Sequence, residues 1–127
     1  MEKNVHHEEL IGGIAKQLKP ILDKSEQAVY IYLDDTHKIC NKQFADLLGY
    51  KSIKEWVDIE APLADIAEAD QDAVISAYEN AMGKLAASTL DITVKNVKSG
   101  KLIKTRLIMV PIVYDGHLFA LHFLSQK

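Results

Sequence analysis

The side chains of this sequence with chemistry to offer are five histidines, one cysteine, a few serines and scattered carboxylates. The lone cysteine, Cys40, excludes an internal disulfide and any multi-cysteine metal cluster, and it fits a reducing compartment. Its place at the end of a short apolar run suits an ordinary buried thiol rather than a reactive one. His6 and His7 are neighbours, so on a helix they point about 100° apart and cannot hold a metal together as an i,i+4 pair would. Both are expected in solvent, as are His37 and His117, which lie in or beside turns. His122 shares a strand face with Leu118 and Ala120, where it either hydrogen-bonds inside the core or contacts a ligand. Ser25, Ser52, Ser76, Ser88, Ser99 and Ser125 have no nucleophile-elbow context, and neither a glycine-rich phosphate loop nor an HExxH pattern occurs. Asp34 and Asp35 are explained as turn formers. No catalytic residue and no metal site is expected, and the chain is not expected to be an enzyme.

The frame around these residues is that of one domain. At 127 residues, 48% hydrophobic and 26% charged, the chain is long enough for a single packed core and too apolar for disorder. The net charge of −3 comes from interspersed acids and bases, which provides no basic stripe for a phosphate backbone. Nucleic acid is therefore not an expected partner. No apolar run approaches the roughly 20 residues that cross a bilayer, and the polar start is unlike a signal peptide, so a cytoplasmic protein without membrane insertion is expected.

Apolar residues at helical spacing between Val5 and Leu22 predict an amphipathic N-terminal helix that Pro20 ends or kinks near Lys19. Gly12 and Gly13 each cost such a helix about 1 kcal/mol relative to alanine, so it needs a surface to pack on. Residues 28–33 and 38–40, separated by Asp34-Asp35-Thr36-His37, read as two strands and a turn. Asn41 and Gly49 bracket a short helix carrying Phe44, Leu47 and Leu48. Short helices follow around Trp56 and Leu63, and Asp70 is expected to cap a longer one bearing Val74, Ala77, Tyr78 and Ala81. Three strands, 90–97, 102–113 and 118–124, close the chain as an antiparallel meander with turns at Lys98-Ser99-Gly100 and Tyr114-Asp115-Gly116. The order implies an α+β fold, a five-stranded antiparallel sheet with short helices on one face.

Along the last strand both alternating sets are apolar, with Leu118, Ala120 and Leu124 on one side and Phe119, Leu121 and Phe123 on the other. The short helices cover only one face, which leaves the other for the N-terminal helix or a second copy. A homodimer is expected on this ground, with Leu10, Ile11, Ile14 and Leu18 of the N-terminal helix at its contact.

The run Asn41-Lys42-Gln43-Phe44-Ala45-Asp46-Leu47-Leu48-Gly49-Tyr50 resembles the PAS-domain signature of an asparagine, a phenylalanine three residues on, a leucine pair, then glycine and an aromatic residue. Asp70, the turn at Lys98-Ser99-Gly100 and the segment Pro111-Ile112-Val113-Tyr114-Asp115-Gly116 agree in order with the same family. The resemblance covers about residues 25–127, with residues 1–24 as a helical extension. It implies a sensory or signal-transduction module that holds a small ligand between helices and sheet and acts through dimer or partner contacts, with a ligand-free dimerisation scaffold as the alternative. Because the chain ends directly after its last strand, the signal is expected to pass to a partner in trans or the chain to be a piece of a longer sensor.

Within that resemblance, flavin-adduct chemistry needs a cysteine just after the helix-starting asparagine, whereas Cys40 precedes Asn41 and Lys42 follows it. Haem ligation calls for a histidine on the long helix, and residues 70–85 contain none, leaving His117 or His122 as the remaining ligands to weigh. The cofactor stays open. The side chains expected to line a cavity are Tyr32, Phe44, Trp56, Tyr78, Arg106 and His122, apolar walls with a few polar groups. Residues such as Trp56 and Tyr78 are more often core fillers than ligand contacts, and one such as Arg106 is usually an exposed strand charge.

Overall fold

The computed structural model describes residues 2–127, with side chains from His6 onward. Helix α1 (Glu2–Gln17) breaks at Leu18 and continues as the short α2 (Lys19–Lys24). The break falls just before Lys19, as the proline requires, and Pro20 then sits in the first turn of α2, where its missing N–H leaves no hydrogen bond unmade. Five strands follow the expected order: β1 (Ala28–Asp34), β2 (His37–Cys40), β3 (Ser88–Lys95), β4 (Leu102–Tyr114) and β5 (His117–Gln126). They form one antiparallel sheet in the order β2-β1-β5-β4-β3, as the α+β reading requires. Between β2 and β3 lie α3 (Lys42–Leu48), α4 (Ile53–Val57), a 3-10 turn at Pro62–Asp65 and α5 (Glu68–Lys84).

Asn41 starts α3 as expected, and it does more than cap. Its Oδ1 accepts from Phe44 N and from Val29 N, each at 3.0 Å, while its Nδ2 donates to the Gln27 carbonyl at 2.9 Å. One buried side chain thereby ties the helix to β1, satisfying donors that would otherwise be orphaned. Gly49 ends α3 with φ +80°, and a Cβ there would stand 2.3 Å from Asn96 Oδ1. Backbone conformation and close approach both demand glycine. Asp70 does not cap α5, which begins after Ala67; it lies in the first turn, and its Oδ2 accepts Thr93 N at 2.8 Å, latching the helix to β3.

Each sheet face has its own core. On the helix face, α3, α4 and α5 pack Phe44, Leu48, Trp56, Val74 and Ala81 onto Ile92, Val94, Leu107, Met109 and Leu124. On the outer face, Leu10 and Ile14 of α1 and Leu22 of α2 pack onto Val29, Ile31, Phe119 and Leu121. Leu10 and Ile14 are 2% and 1% exposed, and Ile11 and Leu18 are half-buried around them. The chain's own helix therefore covers the second apolar face. Of the two covers expected for that face, the N-terminal helix is the one found, so the face is no argument for a second copy, and Leu10 and Ile14 are buried within the chain and not at a dimer contact. Gly13 has a part in this docking: a Cβ there would lie 2.3 Å from the Tyr114 hydroxyl, so the glycine that weakens the helix lets it settle against β4.

Candidate functional site

Strand alternation decides what faces the helices. In β1, Tyr30 and Tyr32 point inward while Val29 and Ile31 point outward; opposite them, Cys40 and Lys38 of β2 point inward through the pairs Tyr30↔Cys40 and Tyr32↔Lys38. His122 of β5 stands beside Tyr30 in the sheet, and the two rings stack with centroids 3.8 Å apart and planes at 11°. Phe44 from α3 lies tilted against Tyr30 at 4.6 Å, and Trp56 from α4 stands edge-on to both rings, 5.4 Å from Tyr30 and 4.8 Å from Phe44. Next to this aromatic cluster opens a cavity of about 290 Å³ walled by Leu48, Ile66, Val74, Ile92, Val94 and Met109.

Five of the six expected cavity residues, Tyr32, Phe44, Trp56, Tyr78 and His122, line this space. Arg106 does not. Thr105, Leu107 and Met109 of β4 turn inward, so the intervening residue 106 faces out, where its guanidinium Nε donates to Asp91 at 3.0 Å. Tyr30, Lys38 and Asp65 belong at or beside the cavity and were not expected there.

Polar groups around the space fall into satisfied and unsatisfied. Tyr32 donates to Asp35 at 2.5 Å, Tyr50 donates to Asp65, and Tyr78 reaches the Leu33 carbonyl at 3.5 Å. Burial raises the carboxyl pKa of Asp65 and the phenol pKa of Tyr30. Lys38, fully buried, sends all three ammonium protons to the carbonyls of Asp35, Val57 and Ile59 at 2.5, 3.0 and 2.6 Å, and its Nζ lies 5.2 Å from the centre of the Trp56 ring. His122 donates from Nδ1 to the Ala120 carbonyl at 3.0 Å, which makes Nε2 the acceptor of the ring. Burial holds its pKa down at about 3, so the ring is neutral. The exception is Trp56: the residue is 1% exposed, and among the described residues its Nε1 is the one buried side-chain polar atom without a hydrogen-bond partner.

Cys40 is buried as expected, and burial pushes its thiol up to about 12, beyond the range of a nucleophile. Of the other histidines, His6 is exposed as expected, while His7 and His37 depart from expectation. His37 is buried and His7 partly buried, and both donate to Asp34, His7 Nδ1 to Oδ2 at 2.6 Å and His37 Nδ1 to Oδ1 at 2.7 Å. His6 turns the other way and meets His117, with 3.3 Å between their Nε2 atoms. The adjacent pair does point apart, yet each member finds a histidine from a distant turn. Among the described residues no helix is long and apolar enough to cross a membrane.

No protein-family model matches the sequence, nor does any curated protein. Solved structures do match the fold. A PAS domain from a two-component sensor histidine kinase is similar with a TM-score of 0.67 at 15% identity, over 91% of this chain and 98% of that one. The PAS domain of an HTR-like protein from Haloarcula marismortui gives 0.68 at 14% identity, over 96% and 98%. The PAS domain of nitrogen regulation protein NR(II) from Vibrio parahaemolyticus gives 0.65 at 16%, over 85% and 95%. With its antiparallel sheet, its helix-covered inner face and its matches across most of each chain, this protein has the PAS-domain fold.

Proposed function

We propose that this chain is a non-catalytic sensory and signal-transduction module whose cavity holds a small ligand that alters dimer or partner contacts. The observation that carries the reading is Trp56 Nε1, a buried donor with no acceptor beside a cavity of about 290 Å³. Leaving such a group unpaired costs about 1–3 kcal/mol, and an acceptor atom on a ligand would remove that cost. The walls are mainly apolar and the volume sits at the small end of ligand sites, which suits a compact, largely apolar molecule with one acceptor. Cys40 precedes Asn41 and is not among the residues lining the cavity, which leaves flavin–thiol adduct chemistry outside this reading. The origin of similar structures in a sensor histidine kinase and a nitrogen regulation protein supports a signalling role.

The route outward is the sheet itself. Tyr30 and Tyr32 touch the cavity while Val29 and Ile31, between and beside them, seat α1. A ligand that favours one packing of β1 and β5 thereby favours one seating of the helix, and it shifts the population only by its difference in affinity for the two. In this reading residues 1–24 are the coupling extension of a sensor body spanning 25–127, at work in the cytoplasm. A ligand-free scaffold is the second reading, favoured by how far Tyr30, Phe44, Trp56 and His122 already fill the inner face. Native mass spectrometry, compared with the denatured mass, separates them. An added mass that denaturation removes is expected; a folded protein without it favours the scaffold.

A further inference from the structure

Four of the five histidines lie at one corner of the molecule, where α1 passes the β1–β2 turn. Three elements contribute: His7 from α1, Asp34 from the end of β1 and His37 from the start of β2. Their ligand atoms all lie within 4.8 Å of one another, and the His7 and His37 rings stand edge to face with centroids 5.5 Å apart. Thr36 supports the carboxylate, donating to Asp34 Oδ1 from both its backbone N and its hydroxyl at 3.1 Å, and the same hydroxyl lies 3.1 Å from His37 Nδ1. That is the supporting layer a metal ligand needs to keep its orientation. Side-chain exposure is 17% for His7, 8% for His37 and 37% for Asp34, so the two rings are shielded while the carboxylate keeps a path to solvent.

We propose that His7, Asp34 and His37 form a binding site for a divalent transition-metal cation of the zinc class, which ties α1 to the β1–β2 hairpin. Two imidazoles and one carboxylate suit zinc and its neighbours, whereas magnesium and calcium take oxygen ligands. Ligands at about 2.0–2.2 Å from a tetrahedral ion stand roughly 3.3–3.6 Å from each other, so the two histidine–carboxylate contacts, now 2.6 and 2.7 Å, open by about 0.6–1.0 Å to admit it. Each ring now gives its Nδ1 proton to the carboxylate as a hydrogen bond; on binding through Nδ1, that proton leaves for solvent or for Nε2, and the nitrogen lone pair goes to the cation. Open coordination positions are filled by water. His6 and His117 lie outside the triad. Because His7 comes from the helix and the other two ligands from the hairpin, the cation stabilises the docked helix by mass action. The site stands on its own, whatever the cavity holds.

Isothermal titration of the full chain, carrying no histidine tag, with Zn²⁺ at neutral pH is the test. Wild type and His6→Gln are expected to bind one cation per chain and Mg²⁺ to give no heat. His7→Gln and Asp34→Asn are expected to weaken Zn²⁺ binding by at least about 10–100-fold, the loss that follows removal of even an outer partner of a metal ligand. His7→Gln changes no core contact of α1, and its circular dichroism and melting without metal report that it is folded; Zn²⁺ should raise the melting temperature of wild type and not of this variant. Absence of Zn²⁺ binding by wild type overturns the proposal, as does binding that survives His7→Gln or is lost in His6→Gln.

Discussion

The two faces of the sheet are built to different standards. The outer face is apolar and filled: Leu10, Ile14 and Leu22 meet Val29, Ile31, Phe119 and Leu121, with the Tyr114 ring against Gly13 of α1 beside them. The inner face is aromatic and polar, with Tyr30, Tyr32, Tyr78, His122 and Trp56 around a cavity and one indole N–H unpaired. The outer face thus has the chemistry of a structural seat, where shape and burial suffice. The inner face keeps hydrogen-bonding groups at the expense of complete packing, as a binding site does.

Removing packing from the filled face has the largest expected effect. Phe119 is completely buried there, and Phe119→Ala should destabilise by about 3–5 kcal/mol in urea unfolding; a loss below about 1 kcal/mol would mean that α1 does not rest on it in solution. Next comes acid on the inner face. His122 has a folded-state pKa lowered to about 3 from an ordinary 6.5, so below 6.5 the unfolded chain binds a proton that the folded chain refuses. Its stabilising effect is complete above that ordinary value and is lost as pH falls from there toward the folded value. This amounts to about 2 kcal/mol between about pH 8 and about pH 5. His122→Gln should flatten the stability profile over that range; an unchanged slope would show the ring to be charged or exposed. The smallest effect is expected at Trp56. In ligand-free protein, Trp56→Phe exchanges buried indole area for release of an unpaired N–H, and the two offset to within about 1 kcal/mol. A loss above about 3 kcal/mol in the same unfolding experiment would mean that the N–H is already paired.

What could be read from sequence is what local rules determine. Asn41 and Gly49 mark α3 because a cap and a left-handed residue are recognised within a few positions. The alternation of Phe119 to Leu124 revealed two apolar faces and left the N-terminal helix or a second copy to cover one of them; only the packed chain gives that face to α1. Arg106 was misplaced for want of parity: the burial of Leu107 and Met109 decides which side residue 106 takes. Lys38 escaped notice because its burial depends on three carbonyls, two of them in or after α4. His7 and His37 were assigned to solvent because their meeting over Asp34 joins segments 27 residues apart, which no spacing rule along one element detects.

The place of β1 in the sheet also orders assembly. Strands β3, β4 and β5 pair as neighbours in the chain, whereas β1 joins β5 through Ala28↔Leu124 across nearly the whole sequence. Val29 and Ile31 come from one of these strands and Phe119 and Leu121 from the other, so the platform under α1 is complete only after the slowest closure in the fold. Of the elements described, the first in sequence is in this way the last to find its place.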